Sequence, residues 1–217
     1  RDRPSVDLAD YLIRRAEDDE TLWEWALAGE GVREILEARQ EEIFQYLLES
    51  PRYDASARKR NAVGCAWRAW KKAEKIPLSV MSRLRRRHGV DLPERARIDA
   101  YGSGRSITIP RRVDISDDLL WLLGLFVAEG CHVDKGGTYR LLLCTDSHLL
   151  DRAESIFRKA FGVTPTRVPP KGGRGPALYV DGKTLLFVFR DVLAVTGYSK
   201  EIRIPPWIFQ LPLRRLK

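Results

Sequence analysis

The chain has 217 residues, with 38 Lys or Arg against 30 Asp or Glu, which gives a formal net charge of +8. Its length allows one large domain or two small ones, and its 44% hydrophobic and 31% charged residues exclude a disordered, collagen-like or disulfide-framework protein. The longest apolar run, residues 119 to 128, is about half as long as a membrane span must be. The start does not resemble a signal peptide, and three cysteines without a CxxC pair indicate a reducing compartment, so we expect a cytoplasmic protein.

The charge is distributed unevenly along the chain. Residues 1 to 57 carry 7 basic and 15 acidic groups, residues 58 to 97 carry 13 and 3, and residues 98 to 217 carry 18 and 12. A clustered positive field attracts polyanions and gains free energy when counterions leave phosphates. The segregation therefore favours a nucleic-acid partner, with a solvated basic face as the other interpretation.

The acidic block, residues 1 to 57, is predicted to be helical. Apolar residues at helical spacing indicate one helix capped by Ser5, a second over residues 22 to 27, and a third over residues 32 to 48 that stops at Ser50-Pro51. Its tryptophans are interpreted as core residues, and the block carries no recognisable catalytic motif.

The basic block, residues 58 to 97, predicts a unit that resembles a helix-turn-helix. A helix over residues 57 to 75 is followed by a break at Ile76-Pro77-Leu78 and by a short helix, Val80 to His88, that Gly89 closes. A plain basic helical linker is the alternative. The candidate DNA contacts on the second helix are Arg83, Arg85, Arg86 and Arg87.

Residues 117 to 130 read DDLLWLLGLFVAEG, a nearly all-apolar helix that ends in a carboxylate and a glycine. Such a helix must be buried on several sides, and Gly124 and Ala128 form a ridge of small residues that lets another helix approach closely. A carboxylate at the end of a buried helix is costly unless it binds a cation or a proton, so Glu129 is a candidate metal ligand. The alternative is a core helix whose last residue turns out to solvent.

The stretch LLGLFVAEG, residues 122 to 130, resembles the signature helix of the LAGLIDADG (DOD-type) homing endonucleases, and it is particularly similar to the endonuclease domains of archaeal-type inteins. Gly124 and Gly130 match the two glycines of that motif, and Glu129 matches its last acidic position. The resemblance implies that two such helices pack side by side through Gly124, Ala128 and Gly130. It also implies that Glu129 and the Ala128 carbonyl bind Mg²⁺ or Mn²⁺ between two DNA strands.

The residues after the motif extend the resemblance. Turn signals, alternation and helical spacing predict the order helix, strand, strand, helix, strand, strand, helix. The fold class is therefore predicted as α+β, with an all-helical N-terminal region, which includes the helix-turn-helix-like unit, followed by one αββαββα LAGLIDADG half-domain over residues 105 to 217. In the family the four strands lie over the DNA major groove, although the pattern does not decide which side chains face it. The candidate contacts are Lys135, Arg140, Arg167, Lys171 and Arg174.

The tail, residues 202 to 209, is similar to the stretch that precedes the second signature helix in double-motif members. A lysine before an Ile-Pro pair assists catalysis there, whereas this sequence has Ile202 and Arg203 at those positions. Lys200 and Arg203 are therefore the candidate catalytic helpers. One motif supplies one carboxylate, and cleavage of both strands needs two, so we expect either a homodimer through the 119 to 130 helix or a second half-domain.

The resemblance thus implies a site-specific, double-stranded DNA endonuclease of the nucleoid, either intein-encoded or free-standing, that hydrolyses phosphodiesters with a divalent metal. A LAGLIDADG and helix-turn-helix transcription regulator that binds DNA without cutting it is the alternative. An RNA-splicing maturase of the same fold stays open as well. An intact intein does not fit, because splicing needs a Cys or Ser at the start and His-Asn at the end.

Overall fold

A computed structural model describes residues 4–16, 19–50, 59–100, 107–195 and 204–211. The chain is α+β, as the sequence predicts, with helices and antiparallel sheets. It forms two compact units, which are called here the N-terminal unit (Ala9–Gly102) and the C-terminal unit (Arg1–Leu8 with Ser103–Lys217). The segments 1–57 and 58–97, predicted as separate regions, therefore lie largely in one unit. No helix in these ranges is both long enough and apolar enough to cross a membrane.

The first strand along the chain, β1 (Ser5–Asp7), belongs to the C-terminal unit and leads into α1 (Leu8–Arg15). The N-terminal unit then contains α2 (Asp19–Leu22), β2 (Trp25–Ala28), α3 (Val32–Ala38), α4 (Gln40–Glu49), α5 (Lys59–Ala73), β3 (Lys75–Pro77), α6 (Leu78–His88) and β4 (Arg97–Ala100). Strand β2 pairs antiparallel with β3 on one side and with β4 on the other.

The prediction of a purely helical N-terminal region is wrong in three places. Ser5 begins a strand instead of capping a helix, and the predicted third helix is interrupted at Arg39. The segment Trp25–Ala28, predicted as helix, is a strand whose four residues are all buried. Trp, Ala and Leu are compatible with either state, and pairing with two strands distant in sequence decides for β.

The region predicted as a helix-turn-helix has a different arrangement. Strand β3 separates α5 from α6 and pairs within the sheet, so the connection is not a tight turn. The first five residues of α6, Leu78–Ser82, are all buried, and only Arg85–His88 at its end are exposed. A recognition helix contacts bases with residues near its N-terminus. Helix α6 is therefore built as a core helix of the N-terminal unit.

The C-terminal unit contains β5 (Ile109–Pro110), β6 (Arg112–Asp114), α7 (Asp117–Glu129), β7 (Gly130–Lys135), β8 (Thr138–Cys144), α8 (Ser147–Phe161), β9 (Thr166–Val168), β10 (Ala177–Asp181) and α9 (Lys183–Phe187). Helix α9 continues as a π-helical segment, Val188–Val192, and a short 3₁₀ helix, Pro206–Gln210, follows. From α7 onward the elements have the predicted order. Strands β7 to β10 form one antiparallel sheet with the spatial order β7-β8-β10-β9, and β1 pairs with β6.

Local sequence signals explain why these elements begin and end where they do. The Ser116 hydroxyl accepts a hydrogen bond from the Leu119 backbone N–H and caps α7, as a serine before a helix is expected to do. Gly136 and Gly137, both with positive φ, form the two-residue turn between β7 and β8. Gly162, in the left-handed conformation, ends α8.

The core of the C-terminal unit is an aromatic cluster between the helices and one face of the sheet. The ring of Phe126 on α7 lies 5.2 Å from that of Phe189, and the Phe157 ring of α8 lies 5.9 Å from the same Phe189. All three side chains are fully buried. Such rings bury large apolar areas and hold one another edge-on or stacked, so they fix α7 and α8 against the π-helical segment that carries Phe189.

His132 on β7 is a titratable group within this core. Its side chain is 6% exposed, and its ring stacks on Phe126 at a centroid distance of 5.3 Å. Burial lowers the pKa of His132, the positive charge of Arg190 lowers it further, and Asp191 and the Val195 carbonyl partly offset both effects. The folded chain therefore resists protonation of this imidazole more than the unfolded chain does.

We predict that the free energy of unfolding falls as the pH falls below about 6.5, because the unfolded chain then binds a proton at His132 that the folded chain does not bind. The His132→Asn variant should show a weaker pH dependence between neutral and mildly acidic pH in urea unfolding followed by circular dichroism. His148 is exposed, so His148→Asn serves as the matched control and should keep the wild-type slope. Equal slopes for all three proteins would contradict the prediction.

Candidate functional site

Helix α7 is buried along one side only. Its buried side consists of Leu119, Leu122, Leu123 and Phe126. On the opposite side Gly124 and Ala128 are exposed, and a Cβ added at Gly124 would meet nothing within 4 Å. The expectation that this helix is buried on several sides is therefore wrong for the chain by itself. What the structure shows is an apolar helix with an open stripe of small residues.

Glu129 is the last residue of α7, and its side chain is exposed. The chain then turns directly into β7 at Gly130, so the carboxylate lies at the edge where helix and sheet join. The last carbonyls of a helix, which include that of Ala128, lack intrahelical partners. The helix terminus thus offers a carboxylate and a backbone oxygen next to the start of the sheet.

Gly130 has a different role from Gly124. A Cβ at Gly130 would lie 2.4 Å from the Phe126 carbonyl oxygen and 2.6 Å from the Phe126 ring. The glycine is therefore required by contact with its own helix. The prediction that it also helps to pack two motif helices together stays a prediction. The close contact of Gly130 with Phe126 sets the angle at which the chain leaves α7.

One face of the sheet is covered by the helices and the other is not. Leu141, Leu143, Leu178 and Val180 point to the covered face and are buried. The alternation of side chains and the strand register then assign the other face. This open face is formed by Cys131, Val133, Lys135, Thr138, Arg140, Leu142, Cys144, Thr166, Val168, Ala177, Tyr179 and Asp181.

Two of the predicted DNA contacts lie on the open face and one does not. Lys135 is exposed at the end of β7, and Arg140 lies in the middle of β8. Arg167 pairs in register with the buried Leu178, so it points to the helix side of the sheet. There its Nε donates to Glu154 at 2.7 Å and its Nη2 donates to Asp151. Arg167 is thus a link between β9 and α8.

Lys171 and Arg174 face each other across a two-residue hairpin turn. Their backbone N–H groups donate reciprocally to each other's carbonyls at 3.2 Å, and Gly172 and Gly173 both have positive φ. Among the described residues neither cation makes an ion pair. Because β10 begins opposite Cys144, this cationic hairpin tip lies at the same end of the sheet as Glu129. Lys135 lies at the opposite end.

The arginines at the end of α6 are held by the acidic block. Arg85 bonds to Asp10, and Arg83 and Arg87 lie 3.9 and 3.7 Å from Glu49. Arg83 also covers the ring of Tyr46 at 4.3 Å. These are partly exposed pairs that contribute little to stability, but each carboxylate lowers the positive potential of its arginine. Arg86 is exposed on the same turn.

The remaining predicted site residues, Lys200 and Arg203, lie outside the described residues. Sequence reasoning missed Asp181 and Tyr179, which contact Arg140 on the open face. Period-two alternation places the two on one face of β10, but only the register with β8 brings them to Arg140. No protein-family model matches the chain, and no curated protein is significantly similar to it in sequence.

The two motif glycines should respond in opposite ways to the same substitution. Gly124→Ala should raise the free energy of unfolding by about 0.5–1 kcal/mol, because alanine has a higher helix propensity than glycine at an exposed position in the middle of a helix. Gly130→Ala should lower it by about 1–3 kcal/mol, because its Cβ collides with Phe126. Urea unfolding of both variants at equal protein concentration measures the difference, and a destabilised Gly124→Ala would mean that this face is covered.

Proposed function

We propose that the chain is a LAGLIDADG-type half-domain, joined to a helical unit, that binds double-stranded DNA and hydrolyses it together with a second half-domain. The observation that carries the proposal is the open, small-residue face of α7 on a helix that ends in the exposed carboxylate of Glu129. The observed order of elements from α7 to α9 and the open face of the antiparallel sheet support it.

The open face of α7 favours association with a second helix. Leu120, Val127 and Ala128 are exposed or half-buried apolar residues around Gly124. Contiguous exposed apolar surface on a folded protein commonly marks an interaction site, and small side chains reduce the distance between helix axes. A second copy of the chain or another half-domain can supply that helix, and either would bring a second carboxylate close to Glu129.

The donors at the end of α7 fit a divalent cation with oxygen ligands. Mg²⁺ is usually held by one or two carboxylates, with substrate phosphates and waters in the other positions. Within the described part of the chain there is no group of three or more His, Cys, Asp or Glu that could hold a metal. The donor set of Glu129 and the Ala128 carbonyl therefore fits a metal shared with the second half-domain and the DNA, and Mn²⁺ fits the same donors.

In this proposal, metal binding, phosphate binding and base contact are assigned to different parts of the C-terminal unit. Glu129 would hold the metal at the junction of helix and sheet, and the hairpin tip with Lys171 and Arg174 would attract phosphates at the same end of the sheet. A divalent metal, when bound, supplies an activated water and stabilises the departing oxygen. Lys200 and Arg203 stay the candidates for offsetting the charge that develops on the phosphate. The open face of the sheet would contact the base edges.

A DNA-binding regulator without nuclease activity is the second candidate. It is favoured by one observation, which is that Glu129 belongs to no group of three or more His, Cys, Asp or Glu side chains in the described ranges that could hold a metal. In that case the exposed carboxylate of Glu129 would be the last side chain of α7 and would bind no metal. Both candidates use the same surface for DNA, and they differ in whether a bound duplex is cut.

We predict that Glu129→Gln lowers the DNA cleavage rate by roughly a hundredfold or more, because the neutral amide cannot replace a metal-binding carboxylate. The substrate is a pool of supercoiled plasmids with random inserts in MgCl₂, analysed by gel and by sequencing of the cut ends. Retention of duplex DNA by the variant should be unchanged. Glu34→Gln, at an exposed position on α3, is the matched control and should cleave like the wild type.

Full cleavage by Glu129→Gln would refute the catalytic assignment. A wild-type chain that retains selected duplexes but cuts none would support the regulator. A wild-type chain that retains no duplex at all would contradict both candidates.

A further inference from the structure

Arg140 forms an ordered cluster with two residues of β10 on the open face of the sheet. Its Nε donates to Asp181 Oδ1 at 2.5 Å, and its Nη2 donates to Asp181 Oδ2 at 2.9 Å. The guanidinium also stacks on Tyr179, with its central carbon 3.8 Å from the ring centroid. The side chains of Arg140 and Asp181 are each 33% exposed, so the cluster is held on two sides and still open to a ligand.

The hydrogen bonds to Asp181 use only one edge of the guanidinium. An arginine has five N–H donors in a planar fork, and this pair uses the edge formed by Nε and one side of Nη2. The other edge, formed by Nη1 and the second hydrogen of Nη2, makes no hydrogen bond to the described residues. Two parallel donors are therefore free on a group whose orientation is already fixed.

A fixed, free pair of parallel donors matches the edge of one base. In the major groove guanine presents two adjacent acceptors, N7 and O6, and a bidentate arginine is the commonest specific contact to them. Because Asp181 and Tyr179 already restrict the side chain, less conformational entropy is lost on binding. Val133, opposite Arg140 on β7, adds an apolar neighbour and no competing acceptor.

The carboxylate also makes this arginine a poor phosphate ligand. Asp181 balances the charge of Arg140 and would repel a phosphate brought to the same place. Lys135, Lys171 and Arg174 have no such carboxylate among the described residues, so they are suited to phosphates, which carry no sequence information. The Arg140–Asp181 pair is thus neutral overall and fixed in orientation. The cations that make no ion pair among the described residues lie instead at the two ends of the sheet.

We propose that Arg140 is a specificity-determining residue that reads a guanine in the major groove, with Asp181 and Tyr179 as positioning residues. The inference rests on the proposed function, since it requires duplex DNA on the open face.

The experiment compares sequences selected from a random duplex library by the full chain and by its variants. The wild-type consensus should contain one guanine that Arg140→Gln no longer prefers, with on the order of tenfold to a hundredfold less discrimination at that position. Arg140→Lys should lose the same preference, because lysine keeps the charge and lacks the fork. All other positions of the consensus should be retained.

Matched controls separate base reading from structural support. Arg167→Gln removes an arginine of the same sheet that also bonds to two carboxylates, but on the helix side, and its consensus should be unchanged. Tyr179→Phe keeps the ring and should keep the guanine preference, whereas Tyr179→Ala should broaden it. Replacing the selected guanine by 7-deazaguanine removes N7 and should weaken binding of the wild type about tenfold while leaving Arg140→Gln unaffected.

An Arg140→Gln consensus that keeps the same guanine, from a variant with a wild-type circular dichroism melting curve, would overturn the inference. If that variant unfolds, Arg140→Lys and the 7-deazaguanine duplex decide the question instead. Wild-type DNA cleavage with an intact consensus in these variants would refute only the reading by Arg140. The failure of the wild type to bind any duplex would refute the proposed function together with this inference.

Discussion

At the end of α7 the backbone of Gly130 lies against both the carbonyl and the ring of Phe126, with space for no side chain on its Cα. The same ring packs on Phe189 and stacks on His132, so one side chain joins the motif helix, the first strand of the sheet and the π-helical segment. Truncating a core aromatic of this kind to alanine costs about 3–5 kcal/mol. The exposed carboxylate of Glu129 is therefore attached to one of the most constrained points of the C-terminal unit.

The acidic and basic blocks of the sequence neutralise each other within the N-terminal unit. Much of the acidic block lies in the same unit as the basic block, and Asp10, Glu37 and Glu49 pair with cations of α5 and α6. Lys71 lowers the pKa of Glu37, which keeps that carboxylate ionised. The strongest basic run in the sequence is thus largely balanced within its own unit. The C-terminal unit is the more basic of the two. Its cations Lys135, at one end of the open sheet face, and Lys171 and Arg174, at the other, make no ion pair among the described residues.

Sequence reasoning succeeded where the signals are local. The Gly-Gly turn after Lys135 and the helical spacing over Ser147–Phe161 depend on neighbouring residues, and the elements they predict are present. It failed for Trp25–Ala28, because a buried four-residue strand is specified by partners far along the chain. The open side of α7 could not be predicted either, since an all-apolar sequence does not say which of its faces the chain itself covers.

Strand register gives the two arginines of the sheet, Arg140 and Arg167, different surroundings. Arg140 and Arg167 both bond to carboxylates, and the sequence gives no reason to separate them. The register places Arg167 opposite Leu178, on the covered side, where both of its acidic partners come from α8. It places Arg140 opposite Asp181, on the open side, where its partners leave one edge of the guanidinium free. A shift of one residue in its own strand would move either arginine to the opposite face of the sheet, so the proposed selection of a base by this surface depends on strand register more than on the number of its cations.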